Sequence, residues 1–314
     1  MGSFSCHLEL SLPPGIRLDR YIAKNLKLLT RSQIKARQLK AHINGDEVKL
    51  SRILKGGEFL ELNWNEQVNS ILLPEDLPLD IVYEDENVIV INKAQGMVVH
   101  PAAGNWQGTL ANALYYRRLE KGKVLQLGDQ IDPQSGLRPG IVHRLDKDTS
   151  GLLIAAWDEM THNFLSNQFK ARKVHKTYAA FVHGKPKNNT GIIDNYIKRS
   201  YKNRKIFTIA DKNAVKQGRR SITHYRLVKC FGNYSLLCLK PKTGRTHQLR
   251  VHMKHMGIPI LGDSLYGRGD KMFNNISLML HSKNLKIVLP GQRKMSYFKS
   301  PLPQRFKEII NTLR

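Results

Sequence analysis

From Leu18 to Leu29 the apolar residues Leu18, Tyr21, Ile22, Leu26 and Leu29 recur at helical spacing, which predicts one buried stripe on an otherwise basic helix. A second, short helix is predicted to follow at once. Thr30 and Gln33 have the spacing of a capping box, in which hydroxyl and amide satisfy each other's free backbone donors, and Arg31, Lys35, Arg37 and Lys40 stud the helix behind them. Asn44-Gly45 then supplies a tight turn, and Gly56-Gly57 precedes Phe59-Leu60-Glu61-Leu62, a strand that closes a compact unit over residues 15–62. Residues 63–78, with Pro74 and Pro78 and no clear period, read as a linker.

Beyond it, over 79–314, strand-like runs at Ile81-Val82-Tyr83, Val88 to Ile91, Leu152 to Ala156, Tyr178 to Val182 and Ser235 to Leu239 are parted by irregular loops. Helices are predicted near Thr109 to Leu119 and Thr161 to Lys170. Regular β-α alternation is absent, so the expected class is α+β around a mixed, largely antiparallel sheet.

Charge narrows the partners. Lys and Arg number 51 against 25 Asp and Glu, a formal net charge of +26. A protein that keeps such self-repulsion is expected to meet a polyanion, and nucleic acid is the first candidate. The longest apolar runs, such as Leu152 to Trp157, fall far below the roughly 20 residues of a spanning helix, so no membrane partner is expected. The start of the chain lacks a secretory pattern, which predicts a cytoplasmic protein. Cys6, Cys230 and Cys238 are an odd, scattered set that fits neither a disulfide framework nor a zinc knuckle.

Several familiar chemistries are excluded by spacing. Gly262 and Gly267 are spaced as in a phosphate-binding loop, but Arg268-Gly269 follows where Lys and Ser or Thr are required. No two cysteines have the spacing that zinc deamination of a base needs. His252 and His255 lack a third ligand nearby, so no metal is expected. The informative segment is Arg138 to Leu153, in which an apolar strand at Ile141-Val142 delivers His143, Arg144 and Asp146 into a polar loop. Thr149-Ser150-Gly151 then turns the chain into the next strand. Loops held between strands expose catalytic groups while fixing them. Spacing alone leaves Asp146 open between a turn former and a reactive carboxylate.

The run His143-Arg144-Leu145-Asp146-Lys147-Asp148-Thr149-Ser150-Gly151 resembles the signature of the pseudouridine synthases of the ribosomal large-subunit type, whose essential catalytic residue is the Asp. Arg172-Lys173-Val174-His175-Lys176-Thr177-Tyr178 is similar to the family segment that carries the active-site Tyr. Thr243-Gly244-Arg245-Thr246-His247-Gln248-Leu249-Arg250-Val251-His252 is similar to the one that carries its conserved basic residue. The likeness runs from about residue 77 to 290, with Ala94 standing where relatives usually have Pro. Residues 15–62 resemble the S4 domain, an RNA-binding module, which points to the subfamily acting on large-subunit ribosomal RNA.

The resemblance implies a cofactor-free isomerisation that breaks the N1–C1′ bond of a uridine, turns the base, and rejoins it through C5. Asp146 would either attack C1′ or take the C2′ proton, and both roles stay open. Arg245 is the expected guanidinium partner that keeps it ionised. Tyr178 offers an aromatic face and a phenol, Leu249 packs on the other face of the base, and His143 lies within the signature loop as a further substrate contact. Arg144 supports the gap left when the base is flipped out of its stack. Phosphate contacts are expected from Arg31, Lys35, Arg37 and Lys40 in the first unit, and from Lys198, Arg199, Arg204, Arg219 and Arg220 in the second. The expected agent is a monomer on ribosomal RNA or a pre-ribosomal particle. The other reading is a non-catalytic RNA-binding or ribosome-associated protein, which the charge and the S4-like unit would serve equally well.

Overall fold

The computed structural model describes the chain apart from residues 1, 27, 30–33, 35–36, 66–71, 102–103, 123–130, 133–135, 138–139, 211–217 and 268. Two compact units emerge: Met1–Ile71 with Ile131–Leu137, and Leu72–Gln130 with Arg138–Arg314.

Among the described residues, the first unit sets a helix on a four-stranded antiparallel sheet of order β1-β4-β2-β3, formed by β1 (Gly2–His7), β2 (Lys40–Ile43), β3 (Asp46–Glu47) and β4 (Phe59–Trp64). Strand β1 carries too little apolar residue to be read from sequence, yet it alternates, with Phe4 and Cys6 packed against the core and Ser3, Ser5 and His7 outside. Helix α1 (Leu18–Lys24) is shorter than its apolar stripe, ending at Asn25. Leu26 and Leu29 still pack on the same core as Leu18, Ile22, Leu60 and Leu62, each of the latter four wholly buried. Each such side chain contributes about 1.5–3 kcal/mol. The Asn44-Gly45 turn has φ of 52° and 90°, which the paired residue types permit, and the Asn44 side chain accepts the Phe59 N–H.

The second predicted helix falls mostly outside the described residues, since Thr30, Arg31, Gln33 and Lys35 are among those not described. One part of that expectation is corrected: Lys40 opens strand β2 instead of riding a helix, because Gln38 takes φ 49° and turns the chain out of helical geometry two residues earlier.

The second unit is a ten-stranded sheet, and it is mixed but largely antiparallel as expected. Its order is β12-β11-β13-β14-β10-β15-β9-β6-β5, with β16 on the far part of β15. These strands are β5 (Ile81–Glu84), β6 (Val88–Lys93), β9 (Ser150–Ala156), β10 (His175–His183), β11 (Thr190–Arg199), β12 (Phe207–Ile209), β13 (Arg219–Phe231), β14 (Tyr234–Pro241), β15 (Leu280–Val288) and β16 (Met295–Lys299). The short antiparallel pair β7 (Ile131–Asp132) and β8 (Gly136–Leu137) forms a separate two-stranded sheet that belongs to the first unit. Strand β9, buried at every residue, lies antiparallel to β6 and parallel to β15. Helix α2 (Leu110–Glu120) begins at a capping box between Thr109 and Asn112, α3 (Glu159–Lys170) is capped by Asp158, and α4 (Gln248–His255) and α5 (Gln304–Thr312) complete the unit. Ile141-Val142 is not a strand. Ile141 makes one isolated bridge to Ala155, and Gly140 before it has φ 64° and lies so close to the Ala156 carbonyl that no Cβ would fit.

Candidate active site

A cleft of about 510 Å³ opens in the second unit between the segment from Val142 to Asp146, the β10 residues Lys176 and Tyr178, and the segment from Pro241 to Arg250. Three separate stretches of chain thus meet there, and they are the three blocks singled out by their motifs.

Asp146 sits in a turn in which its carbonyl accepts the Thr149 N–H. Leu145 beside it is buried and anchors the turn. Lys93, at the end of β6 and only 1 % exposed, holds the turn from behind: its ammonium donates to the carbonyl oxygens of Ala94, Met97 and Lys147. Burial lowers the Lys93 pKa to about 8, against the pull of Asp148 and Asp146. Gln95 adds a bond to the Asp148 carbonyl. Gly151, at φ 110°, follows where β9 begins, and a Cβ there would meet the Ser282 carbonyl at 2.3 Å. The glycine of the signature is therefore demanded by the approach of β15.

Two groups converge on one oxygen of Asp146. Arg250 Nη1 lies 3.7 Å and His247 Nε2 4.0 Å from Oδ2, while the Asp146 side chain is 21 % exposed to the cleft. Arg250, one turn into α4, is itself gripped in a bidentate pair by Asp263, whose side chain is fully buried, at 2.7 and 2.8 Å. Asp263 also accepts the N–H groups of Leu265 and Tyr266. The expectation that Arg245 pairs with Asp146 is corrected. Arg245 lines the cleft, but its Nε donates to the Arg220 carbonyl, and among the described residues Asp146 pairs with Arg250 and His247 instead. The reason is where the helix starts: Arg245 precedes the turn at His247, and Arg250 lies on the first turn beyond it, over Asp263.

Helix α4 is fixed by a buried polar network. Gln248 accepts from the Thr243 hydroxyl and the Arg245 N–H, and donates to Thr223 and the Ile222 carbonyl. His252, wholly buried, bonds Ser221 and Thr223, with its pKa pushed down to about 4 by desolvation. This histidine is framework.

Tyr178 stands at a bulge in β10 opposite Ser282 and lines the cleft, 7 % exposed. Burial pushes its phenol up to about 12, Ser282 partly offsets this by hydrogen bonding, and the charge of Asp146 adds to it. Leu249, also buried, lines the cleft. His143 accepts the Ile154 N–H at Nε2 and stacks on Phe169 at 4.6 Å, so it ties the loop to β9. Burial and the nearby Lys176 hold its pKa down to about 3, which keeps it neutral.

Around the mouth, Arg144, Lys170, Arg172, Lys176, Lys242 and Arg245 make a cationic rim. Burial lowers the pKa of Lys176, whose ammonium sits over the Phe169 ring. Arg199, Arg204 and Arg219 are exposed. Arg220 is exposed too, but its guanidinium is engaged in a bidentate pair with Asp194 at 2.5 and 3.0 Å. Sequence reasoning passed over Lys93, His247, Arg250 and Asp263 as individual actors. The last two carry opposite charges thirteen residues apart, a signal that only the fold turns into a pair.

Comparison with known proteins gives the same direction. Residues 87–255 match the family model described as RNA pseudouridylate synthase. The chain is 45 % identical over 299 residues to Ribosomal large subunit pseudouridine synthase D of Borreliella burgdorferi, covering 93 % of this chain and 88 % of that one. It is 38 % identical over 316 residues to an uncharacterized RNA pseudouridine synthase of Chlorobaculum parvum, covering 95 % and 94 %. Among solved structures, Human RNA Pseudouridylate Synthase Domain Containing 4 superposes with a TM-score of 0.59 at 26 % identity, over 74 % of this chain and 92 % of that one.

Proposed function

We propose a target and a set of residue roles from one established premise: the chain belongs to the RNA pseudouridylate synthase family and is an enzyme that isomerises uridine in RNA. The proposed target is large-subunit ribosomal RNA, as the name of the Borreliella burgdorferi relative states for that protein. The observation that carries the residue assignment is a partly exposed carboxylate, Asp146, facing a cleft beside a guanidinium that is itself locked by a buried acid.

In this reading the uracil lies between Tyr178 and Leu249, with the ribose toward Asp146. The Asp146 carboxylate attacks C1′ or removes the C2′ proton, and Arg250 holds it aimed at the ribose for either step. The phenol of Tyr178, kept protonated by burial, acts as a hydrogen-bond partner to the base or relays a proton; it is not a base by itself. Arg144, exposed at the rim, supports the gap left in the RNA stack. The cationic rim contacts phosphates, and the first unit, with its Asn-Gly turn and exposed Lys40, serves as an S4-type RNA-binding module together with Arg31, Lys35 and Arg37. The reaction changes no oxidation state and transfers no group to or from a donor, so the chain's side chains suffice. A ribosomal RNA target supports action in the cytoplasm.

Mapping pseudouridine across ribosomal RNA with and without the protein tests the target. Asp146→Asn tests the role: the amide preserves shape but neither attacks nor accepts a proton, so isomerisation should vanish with RNA binding retained. Turnover near the wild-type rate would move suspicion to another carboxylate, Asp148 first.

A further inference from the structure

His247 is the group nearest Asp146 that the steps above leave without work. It caps α4 with φ 55°, a left-handed conformation that a residue with a side chain adopts at a cost. Two rings meet it edge-on, Phe207 at 5.6 Å and 77° and Tyr266 at 5.6 Å and 81°. Its Nδ1 lies 2.8 Å from the Tyr266 hydroxyl, and its Nε2 points at Asp146 Oδ2 from 4.0 Å.

The proton positions follow from counting donors. The Tyr266 oxygen already accepts the Phe207 N–H at 2.8 Å, and Tyr266 is 4 % exposed. Among the described residues the other polar partner of this hydroxyl is His247 Nδ1, so its single proton is assigned to that nitrogen as acceptor and the ring proton to Nε2. Burial, together with the Arg250 and Arg144 charges and against the pull of Asp146 and Asp263, lowers the pKa of this imidazole and favours the neutral ring. At 4.0 Å the Nε2–H is close to the carboxylate but not bonded to it. Both it and Arg250 approach Oδ2, so Oδ1 is the oxygen left to react.

We infer that Tyr266 and His247 are positioning residues: Tyr266 fixes the Nε2–H tautomer of His247, and that N–H closes on Asp146 Oδ2 when a nucleotide fills the cleft, turning Oδ1 toward the ribose. This rests on the role of Asp146 proposed above. The path also ties the site to the β11–β12 hairpin, since Phe207 supplies the N–H that orients Tyr266 and carries Arg199 over its ring.

The test compares single-turnover rates at saturating RNA, RNA affinity and melting temperature for wild type, Tyr266→Phe, His247→Ala, His247→Gln and the two double variants. Loss of one hydrogen bond to a charged group should slow Tyr266→Phe about tenfold with affinity unchanged. His247→Ala should be slower still, and adding Tyr266→Phe to it should cost nothing more. Gln at 247 carries its own amide donor and has no tautomer to set, so it should recover part of the rate and be insensitive to Tyr266→Phe. Nitrogen NMR of the wild-type histidines, with the His247 signal identified by its loss in His247→Gln, should show Nε2 protonated, and this readout does not depend on how well any Tyr266 variant folds. A protonated Nδ1, multiplying rate losses in the double variants, or a wild-type rate in Tyr266→Phe would each overturn the inference. A wild-type chain that leaves ribosomal RNA unmodified would sink the functional reading and this inference with it, whereas an active wild type with an unaffected Tyr266→Phe sinks this inference alone.

Discussion

Replacing Arg250 by Met removes a charge while keeping most of the side chain's length, and the structure assigns it two separate costs. The first is to the fold. Asp263 is fully buried and gives both oxygens to Arg250, so it would be left as an uncompensated carboxylate, which costs about 3–5 kcal/mol. The bonds from the Leu265 and Tyr266 N–H groups place the variant toward the lower end. The second is to the chemistry. Opposite charges 3.7 Å apart attract by about 4 kcal/mol at an effective dielectric of about 20, and the partial exposure of Asp146 reduces this to roughly 2 kcal/mol. Because the carboxylate must be held in its reacting geometry through the transition state, losing that attraction slows the reaction by up to about 30-fold.

Arg250→Lys separates the two. One ammonium can stay with Asp263 but cannot also span to Asp146, so stability should largely return while the rate does not. Urea unfolding reads the first cost. Release of tritium from RNA carrying 5-tritiated uridine, under single turnover, reads the second. Arg245→Met is the control and should weaken RNA binding with little change in rate. If Arg245→Met lost about 30-fold in rate and Arg250→Lys none, the counter-ion assignment would be wrong.

Tyr178→Phe keeps the aromatic face, so RNA affinity should hold within about threefold while turnover falls about 10- to 100-fold. Because burial pushes the phenol up to about 12, the shape of the rate profile between pH 6 and 10 should be the same in both proteins, and a lost alkaline limb would refute this. Lys93, with its pKa lowered to about 8, releases its proton in the folded state while the unfolded chain still binds one, so the burial cost present below pH 8 is relieved as pH rises toward the unfolded value of 10.5. The urea stability of wild type should therefore gain on that of Lys93→Met over that window, by something on the order of 3 kcal/mol, and parallel pH dependences would exclude it. A chain beginning at residue 72 should bind RNA more weakly and with a shallower salt dependence, yet turn over normally at saturation; unchanged affinity and site choice would mean that the first unit is no RNA-binding module.

Two of the strands legible in the sequence were so because their burial is two-sided. Val88 to Ile91 and Leu152 to Ala156 read as continuous apolar runs because β6 and β9 are covered on both faces. Strands β11 and β13 escaped notice for the opposite reason. One face of each is open and basic or apolar without pattern, as at Ile192 and Arg226, and the 13 residues of β13 bury Ser221 and Thr223 where an apolar alternation would be sought. Those two hydroxyls are buried because α4 brings Gln248 and His252 to bond them. A polar core position is invisible to hydrophobic periodicity by construction. Helix α5 was missed although Phe306 and Ile309 have helical spacing, since nine residues after a Pro-rich stretch give too short a pattern to separate from a loop.

The candidate site was legible at the level of blocks but not of individual cations. In the stretch from Thr243 to His252, two arginines five residues apart stand equally well for the partner of an acid. What decides between them is a backbone event: His247 enters α4 in a left-handed conformation, and this rotates everything after it relative to everything before. Gln248, held by Thr243, reaches the buried Thr223 hydroxyl of β13, His252 follows one turn later on the same side, and Leu249 and Arg250 are delivered to the cleft. Arg245, on the near side of that turn, is left at the rim with its Nε on a carbonyl. The buried acid that selects Arg250, Asp263, lies in the next loop, where it also stitches the backbone that presents Tyr266. One carboxylate thus fixes both the cation that faces Asp146 and the phenol that orients His247. A substitution at Asp263 should consequently disturb the two contacts on Asp146 together, even though Asp263 itself touches neither Asp146 nor the cleft.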